Sequence, residues 1–159
     1  MLEKSVLFNM SHVAIGALKD GLPWFDHGTA LKRAVRQIDR LRIKTSSPGA
    51  LASELSGGNQ QKTVVGKWLE VAPTVILLDD PTRGVDVGAK REIYALIRRV
   101  SADGRIVLFS STELPELIGL CDRIIVLYRG RIAGEIKGGE ADGPALLHAV
   151  NTGEIPRAA

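Results

Sequence analysis

Two short strings in the 159-residue chain carry side chains suited to phosphate and metal chemistry. In one, the apolar run Val75-Ile76-Leu77-Leu78 is followed at once by Asp79-Asp80. A continuous apolar run of that length reads as a strand covered on both faces. Carboxylates at the end of such a strand stand where ligands bind in open α/β sheets. Asp79 suits a magnesium ion, which takes oxygen ligands and keeps several waters, and Asp80 is then placed to orient an attacking water. The other reading is that both acids solvate a strand end or cap a helix, and spacing alone does not choose. In the other string, Ser56-Gly57-Gly58-Asn59-Gln60-Gln61 precedes a stretch with Val64, Val65, Trp68 and Leu69 at helical spacing. A hydroxyl, unpaired backbone N–H groups and the positive end of a helix dipole together favour a phosphate. Taken by itself, the same string is also an N-cap serine with flexible glycines.

The elements that must hold these strings alternate along the chain. Leu31 to Lys44 carries Leu31, Ala34, Val35, Ile38 and Leu41 at helical spacing with six basic residues against one acid, an amphipathic basic helix. Without interleaved aromatics its charges read as a solvated face, so no nucleic-acid partner is expected. Gly21-Leu22-Pro23-Trp24 and Asp26-His27-Gly28 read as loops, and Thr45 to Gly49 as a polar break. Beyond the first apolar run, Ala89 to Val100 places Ile93, Leu96, Ile97 and Val100 on one helical face, closed by Asp103-Gly104, and Ile106 to Phe109 is a second strand. Pro115 sits in the first turn of a helix after Thr112, Ile124 to Tyr128 is a third strand, and Arg129-Gly130 turns it into a hairpin with Arg131 to Ile136. Asp142 to Val150 closes the chain as a short helix. This order argues for a parallel α/β sheet with one antiparallel addition.

Composition narrows the class. Hydrophobic residues at 45% and charged residues at 25% exclude disorder and fibrous repeats. A single cysteine, Cys121, excludes an internal disulfide and fits a reducing compartment. No apolar run approaches the roughly 18 residues of a spanning helix. His12, His27 and His148 have no spacing suited to a metal or a relay. Seventeen glycines against seven aromatics point to tight turns and close backbone approaches, yet the GxxxxGK[ST] phosphate loop is missing. Its nearest string, Gly66-Lys67-Trp68, lies inside an apolar-periodic stretch and has no hydroxyl after the lysine.

Together, LSGGNQQ at 55–61 and VILLDDPTRGVD at 75–86 resemble the signature motif, Walker B and D-loop of ATP-binding-cassette (ABC) ATPases. GVDVGAKREIY at 84–94 and STELPELIGLCDRIIVLYRGRI at 111–132 are similar to the second cassette of monosaccharide importers of the ribose, xylose and galactoside class. Ser5-Val6 and Asn9-Met10-Ser11 resemble the segment that opens that family's helical subdomain. The resemblance implies an α/β chain with an incomplete P-loop NTPase fold of ABC type: a helical signature subdomain over 1–70, then part of a RecA-like parallel sheet over 71–159. It implies ATP and Mg2+ as ligands. Ser56, Gly57 and Gly58 would contact the γ-phosphate of ATP held on an opposing cassette, with Gln60 and Gln61 supporting the loop. Asp79 would bind magnesium through water. Asp86 would link the two active sites, with Gly84 and Val85 shaping its turn. Asp80 stands where the family has its catalytic glutamate and is one methylene shorter. Thr112 stands at the switch-histidine position, with phosphate bonding and helix N-capping both open to it. The Walker A lysine, the adenine-stacking aromatic and the Q-loop belong to sequence expected before Met1. The implied function is an ATPase-subunit fragment of a sugar importer, cytoplasmic and peripheral on the inner membrane face, and inactive by itself. Its implied partners are a second cassette, permease subunits and, indirectly, a periplasmic sugar-binding protein. The alternative is a non-catalytic module that donates the signature motif in trans.

Overall fold

The computed structural model describes residues 2–17 and 27–155. They divide into two compact units, Met1–Ile76 with Thr82–Val107, and Leu77–Pro81 with Leu108–Ala159.

The first unit is helical: α1 (Val6–Ala17), α2 (His27–Leu41), α3 (Gly57–Leu69) and α4 (Val87–Ala102). Its core holds Val6, Met10, Ala34, Leu41, Val65 and Leu69. Gly66 makes the three-helix contact possible, because a Cβ there would lie 2.6 Å from Leu41 Cδ1 and 2.8 Å from Met10 Cε. The packed face of α2 differs from the expected stripe: Ala30, Ala34, Gln37 and Leu41 are buried, whereas Leu31 and Val35 are exposed. The helix is rotated so that its small residues meet the core, and Gln37 takes a position that apolar spacing assigned to its neighbours. His27-Gly28, expected in a loop, form the first turn of α2, while Gly21-Leu22-Pro23-Trp24 and Asp26 lie outside the described residues. On α4 the expected face is the buried one, with Ile93, Leu96, Ile97 and Val100 all enclosed. Gly104 closes that helix at φ +82°, a conformation suited to glycine.

Strands β1 (Val75–Asp79) and β2 (Ile106–Ser110) pair with each other. Ile106 N donates to Thr74 O at one end and Asp80 N to Ser110 O at the other, which makes them parallel. The expectation of a strand covered on both faces is corrected here. Val75 is 46% and Leu77 74% exposed, and on β2 Ile106 and Leu108 are exposed as well. Among the described residues nothing is layered over that side, and apolar composition alone does not reveal which face is covered.

The second unit adds α5 (Leu114–Leu120), β3 (Arg123–Tyr128), β4 (Arg131–Lys137) and α6 (Gly143–Thr152). Arg129 at φ +49° and Gly130 at φ +77° make the two-residue turn of an antiparallel hairpin that pairs Ile124 with Ile136 and Tyr128 with Arg131. Both central residues have the positive φ of the turn that matches strand twist. Ile124, Val126, Leu146 and Ala149 form this unit's core. Asp142 caps α6 by accepting from Ala145 N at 2.6 Å. Burial pushes the half-buried Cys121 thiol above its ordinary pKa, which keeps it protonated and unreactive at neutral pH. The single mixed sheet read from strand order is also corrected: among the described residues β3 and β4 pair only with each other, giving two two-stranded sheets. The tight turn at Arg129-Gly130 hands the ladder of β3 to β4.

Ile93 is fully enclosed, so Ile93→Ala removes packed methyl groups and should cost about 2–5 kcal/mol. Urea denaturation should show the midpoint falling at unchanged slope.

Candidate functional site

Ser56 occupies the N-cap of α3 with an extended backbone, φ −61° and ψ 155°. Its hydroxyl does not cap the helix backbone. Instead it accepts a hydrogen bond from Asn59 Nδ2 at 2.8 Å, while Asn59 Oδ1 accepts from Lys44 N at 2.9 Å. Gln60 reaches backwards, its Nε2 donating to Leu55 O at 2.9 Å. The loop is therefore braced from behind through Asn59 and Gln60. Ser56 and Gly57 are exposed, and the first N–H groups of α3 have no intrahelical acceptor.

Gly58 is buried, and a Cβ built on it would lie 2.4 Å from Ala89 Cβ. Even a methyl group is excluded where α3 meets the first turn of α4. That turn is capped by Asp86, whose Oδ1 accepts from Ala89 N at 2.9 Å. Gly84 turns the preceding loop at φ +71°. The structure thus brings Ser56, Gly58, Asn59 and Asp86 around one open cleft of 260 Å³, with Lys44 and Glu92 on its wall. Gly57, Gln60 and Gln61 line a second cleft of 310 Å³ with Arg83, Gly84 and Val85. Two helix N-termini side by side concentrate positive potential, and the Asp86 carboxylate offsets part of it.

Asp79, Asp80 and Thr112 come together in the second unit. Ser110 Oγ donates to Asp79 Oδ1 at 2.7 Å. Asp80 has φ +41°, rare for a side chain other than glycine. It is held there by its N–H on Ser110 O and by Thr112 N donating to its Oδ1 at 2.9 Å. The Thr112 hydroxyl also approaches that oxygen, at 3.4 Å. The N-cap of α5 is Glu113, so the capping role left open for Thr112 is corrected: its donors turn to Asp80. Backbone strain of this kind persists where surrounding bonds over-determine it, and it clusters at functional sites. Among the described residues no three or more His, Cys, Asp or Glu converge on a metal position. An exposed carboxylate beside a hydroxyl, as at Asp79 and Ser110, fits a cation that keeps most of its water.

No protein-family model matches the chain. The ribose import ATP-binding protein of Chelativorans sp. (strain BNC1) is 56% identical over 113 residues, 71% of this chain and 22% of that protein. The galactose/methyl galactoside import ATP-binding protein of Clostridium perfringens is 42% identical over 141 residues, 89% of this chain and 27% of that protein. The chain is a homologue of sugar-import ATP-binding proteins. It spans about a quarter of their length. In three dimensions it matches an ATP-binding cassette solved as a dimer in a post-hydrolysis state with ADP and Pi, at a TM-score of 0.71 and 23% identity, over 86% of this chain and 58% of that one. The fold is part of an ABC-type P-loop NTPase. Among the described residues no helix is long and apolar enough to cross a membrane.

Three contributors were missed in the sequence. Asn59 and Ser110 sit inside or beside the motifs, and their polar side chains at a helix start and a strand end were the available signal. Lys62 gave a weaker one, a cation on the face of α3 that also carries Thr63, Val65 and Leu69. It is 3% exposed and pairs with Glu92 on α4 at 2.5 Å.

The hydrogen bond and charge of Lys62 hold the Glu92 carboxyl below its ordinary pKa. A depressed carboxyl stabilises the fold above its unfolded pKa and loses that contribution as pH falls through the folded value. Stability should therefore fall with acidification once pH drops below the ordinary carboxyl range, and Glu92→Gln should flatten that fall. Gly58→Ala should cost about 1–3 kcal/mol by forcing α3 from α4, read as a lowered urea midpoint.

Proposed function

We propose that the chain is a piece of the ATP-binding subunit of an ABC importer that couples ATP hydrolysis to monosaccharide uptake. The observation that carries this reading is the exposed, braced start of α3 beside the Asp86-capped start of α4. Phosphoryl transfer is mostly positioning and electrostatic stabilisation. Ser56 and the N–H groups of Gly57 and Gly58 donate to the γ-phosphate of ATP held on a second cassette, with Gln60 and Gln61 behind them. Asp86 relates this face to the other active site. Asp79 holds magnesium, which when bound neutralises phosphate charge. Asp80, kept in place by Thr112, orients the attacking water. It is shorter than the family's glutamate, and a misplacement of about 1 Å can cost around a hundredfold in rate.

The 159 residues contain no GxxxxGK[ST] string, and phosphoryl transfer needs the β- and γ-phosphates cradled, so in this reading the chain does not hydrolyse ATP by itself. Residues 1–70 act as the helical signature subdomain and 71–159 as part of a RecA-like core. Permease subunits hold it at the inner membrane face, with a periplasmic sugar-binding protein as an indirect partner. The relatives' import of ribose and galactosides supports the monosaccharide class, and the dimeric ADP-bound cassette supports the two-cassette arrangement. That Ser56, Gly58, Asn59 and Asp86 all lie in one unit also favours a second reading, a non-catalytic module that lends this face in trans.

Calorimetric titration of the purified chain with Mg-ATP should show no binding up to about 1 mM. Mixing it with a homologous importer subunit whose own signature serine is disabled should restore phosphate release, and Ser56→Arg should abolish the restoration. Micromolar ATP binding by the chain alone, or restoration insensitive to Ser56→Arg, overturns the reading. Phosphate release only by an assembled transporter containing the chain, blocked by Asp80→Ala in this chain, separates the importer reading from the non-catalytic module.

A further inference from the structure

Lys62 follows Gly58 by four residues on α3, and Glu92 follows Ala89 by three on α4, so each pair shares a helix face one turn apart. Gly58 meets Ala89 and Lys62 meets Glu92. The two helices therefore run side by side in the same direction from their N-termini. Parallel neighbours place their positive ends together, an arrangement their dipoles oppose.

Lys62 Nζ also donates to Arg42 O at 3.0 Å, in the segment after α2 where Lys44 N holds Asn59. Arg42 itself sits at φ +51°, a conformation rare for residues other than glycine. The lysine thus joins three pieces of chain: α3 below the signature string, α4 below Asp86, and the segment that braces Asn59. Its burial is unusual, because lysines are almost never fully buried unless paired. The hydrogen bond and charge that depress the Glu92 carboxyl are the same contact seen from α4.

We propose that the Lys62 clamp, bonded to Glu92 and the Arg42 carbonyl, is a positioning device that fixes the Ser56-Gly57-Gly58 start of α3 relative to Asp86. Lys62, and Glu92 on the wall of the 260 Å³ cleft, act in this proposal through the loop they hold. The consequence for hydrolysis rests on the reading given under Proposed function, whereas the geometric part does not.

The test uses the full chain and two variants. Glu92→Gln removes the charge partner. Lys62→Met keeps the packed stem without burying an unpaired charge, so it remains informative where Glu92→Gln fails to fold. Backbone order parameters from 15N relaxation at Gly57 to Gln60 should be near the rigid value of about 0.85 in the natural chain and fall toward 0.6 in the variants, with α6 unchanged. In the mixing assay the variants should lower kcat by roughly 10- to 100-fold. KM for ATP should stay the same, because ATP is cradled by the partner. A general loss of packing would instead lower order in every helix and reduce only the fraction of folded, active chain.

Unchanged order at residues 57–60 in both variants, or loosening with full kcat, overturns the clamp. If the natural chain restores no hydrolysis but its variants loosen at 57–60, the functional reading fails and the mechanical one stands.

Discussion

The helical unit depends on how closely α3 can approach its neighbours. At Gly58 the distance to Ala89 leaves no room for a methyl group, and at Gly66 the distance to Leu41 and Met10 leaves none either. Two glycines on one helix let it sit against α4 near its start and against α1 and α2 near its end. Glycine inside a helix costs roughly 1 kcal/mol relative to alanine. Here that cost is offset by the close packing it permits, and the packing sets where the N–H groups at the start of α3 stand. The position of the Ser56 loop is thus a result of backbone contact more than of bonds made by the loop itself.

The loop's own bonds then add orientation. Asn59 divides its amide between the Ser56 hydroxyl and the Lys44 backbone, and Gln60 turns away to the Leu55 carbonyl. Polar groups that would otherwise compete for a bound anion are engaged behind the loop, and the helix start is left open. In the other unit Asp79 and Asp80 are likewise handled separately, one by Ser110 and the other by Thr112. Adjacent carboxylates with different hydrogen-bond partners are equipped for different roles.

Much of this was legible in the residues. The order of SGGNQQ, LLDD and GVD was enough to bring the candidate residues forward, and the α4 face of Ile93, Leu96, Ile97 and Val100 followed from spacing. What failed did so for a common reason: periodicity identifies a candidate face but not what covers it. Leu31 and Val35 have the spacing of core residues, yet α2 turns Gln37 inward. Val75 and Leu77 have the composition of a doubly covered strand and are exposed on one side. Thr112 preceding Pro115 looked like a cap, and the rare backbone conformation of Asp80 that draws its donors away has no signature in sequence. Lys62 escaped notice because a charged residue among apolar ones is ordinarily read as solvated.

The two pairs of strands also differ in how far apart their partners lie along the chain. Tyr128 and Arg131 face each other across a two-residue turn, a closure that hairpins achieve in about 1–10 μs. In the β1–β2 ladder the whole of α4 lies between Thr74 and its partner Ile106. Contacts that span longer stretches form more slowly, because the loop-closure entropy is lost before the contacts compensate for it. Of the two ladders, the β3–β4 hairpin is thus the local one, and the Asp79–Asp80 strand end belongs to the ladder whose closure costs more chain entropy.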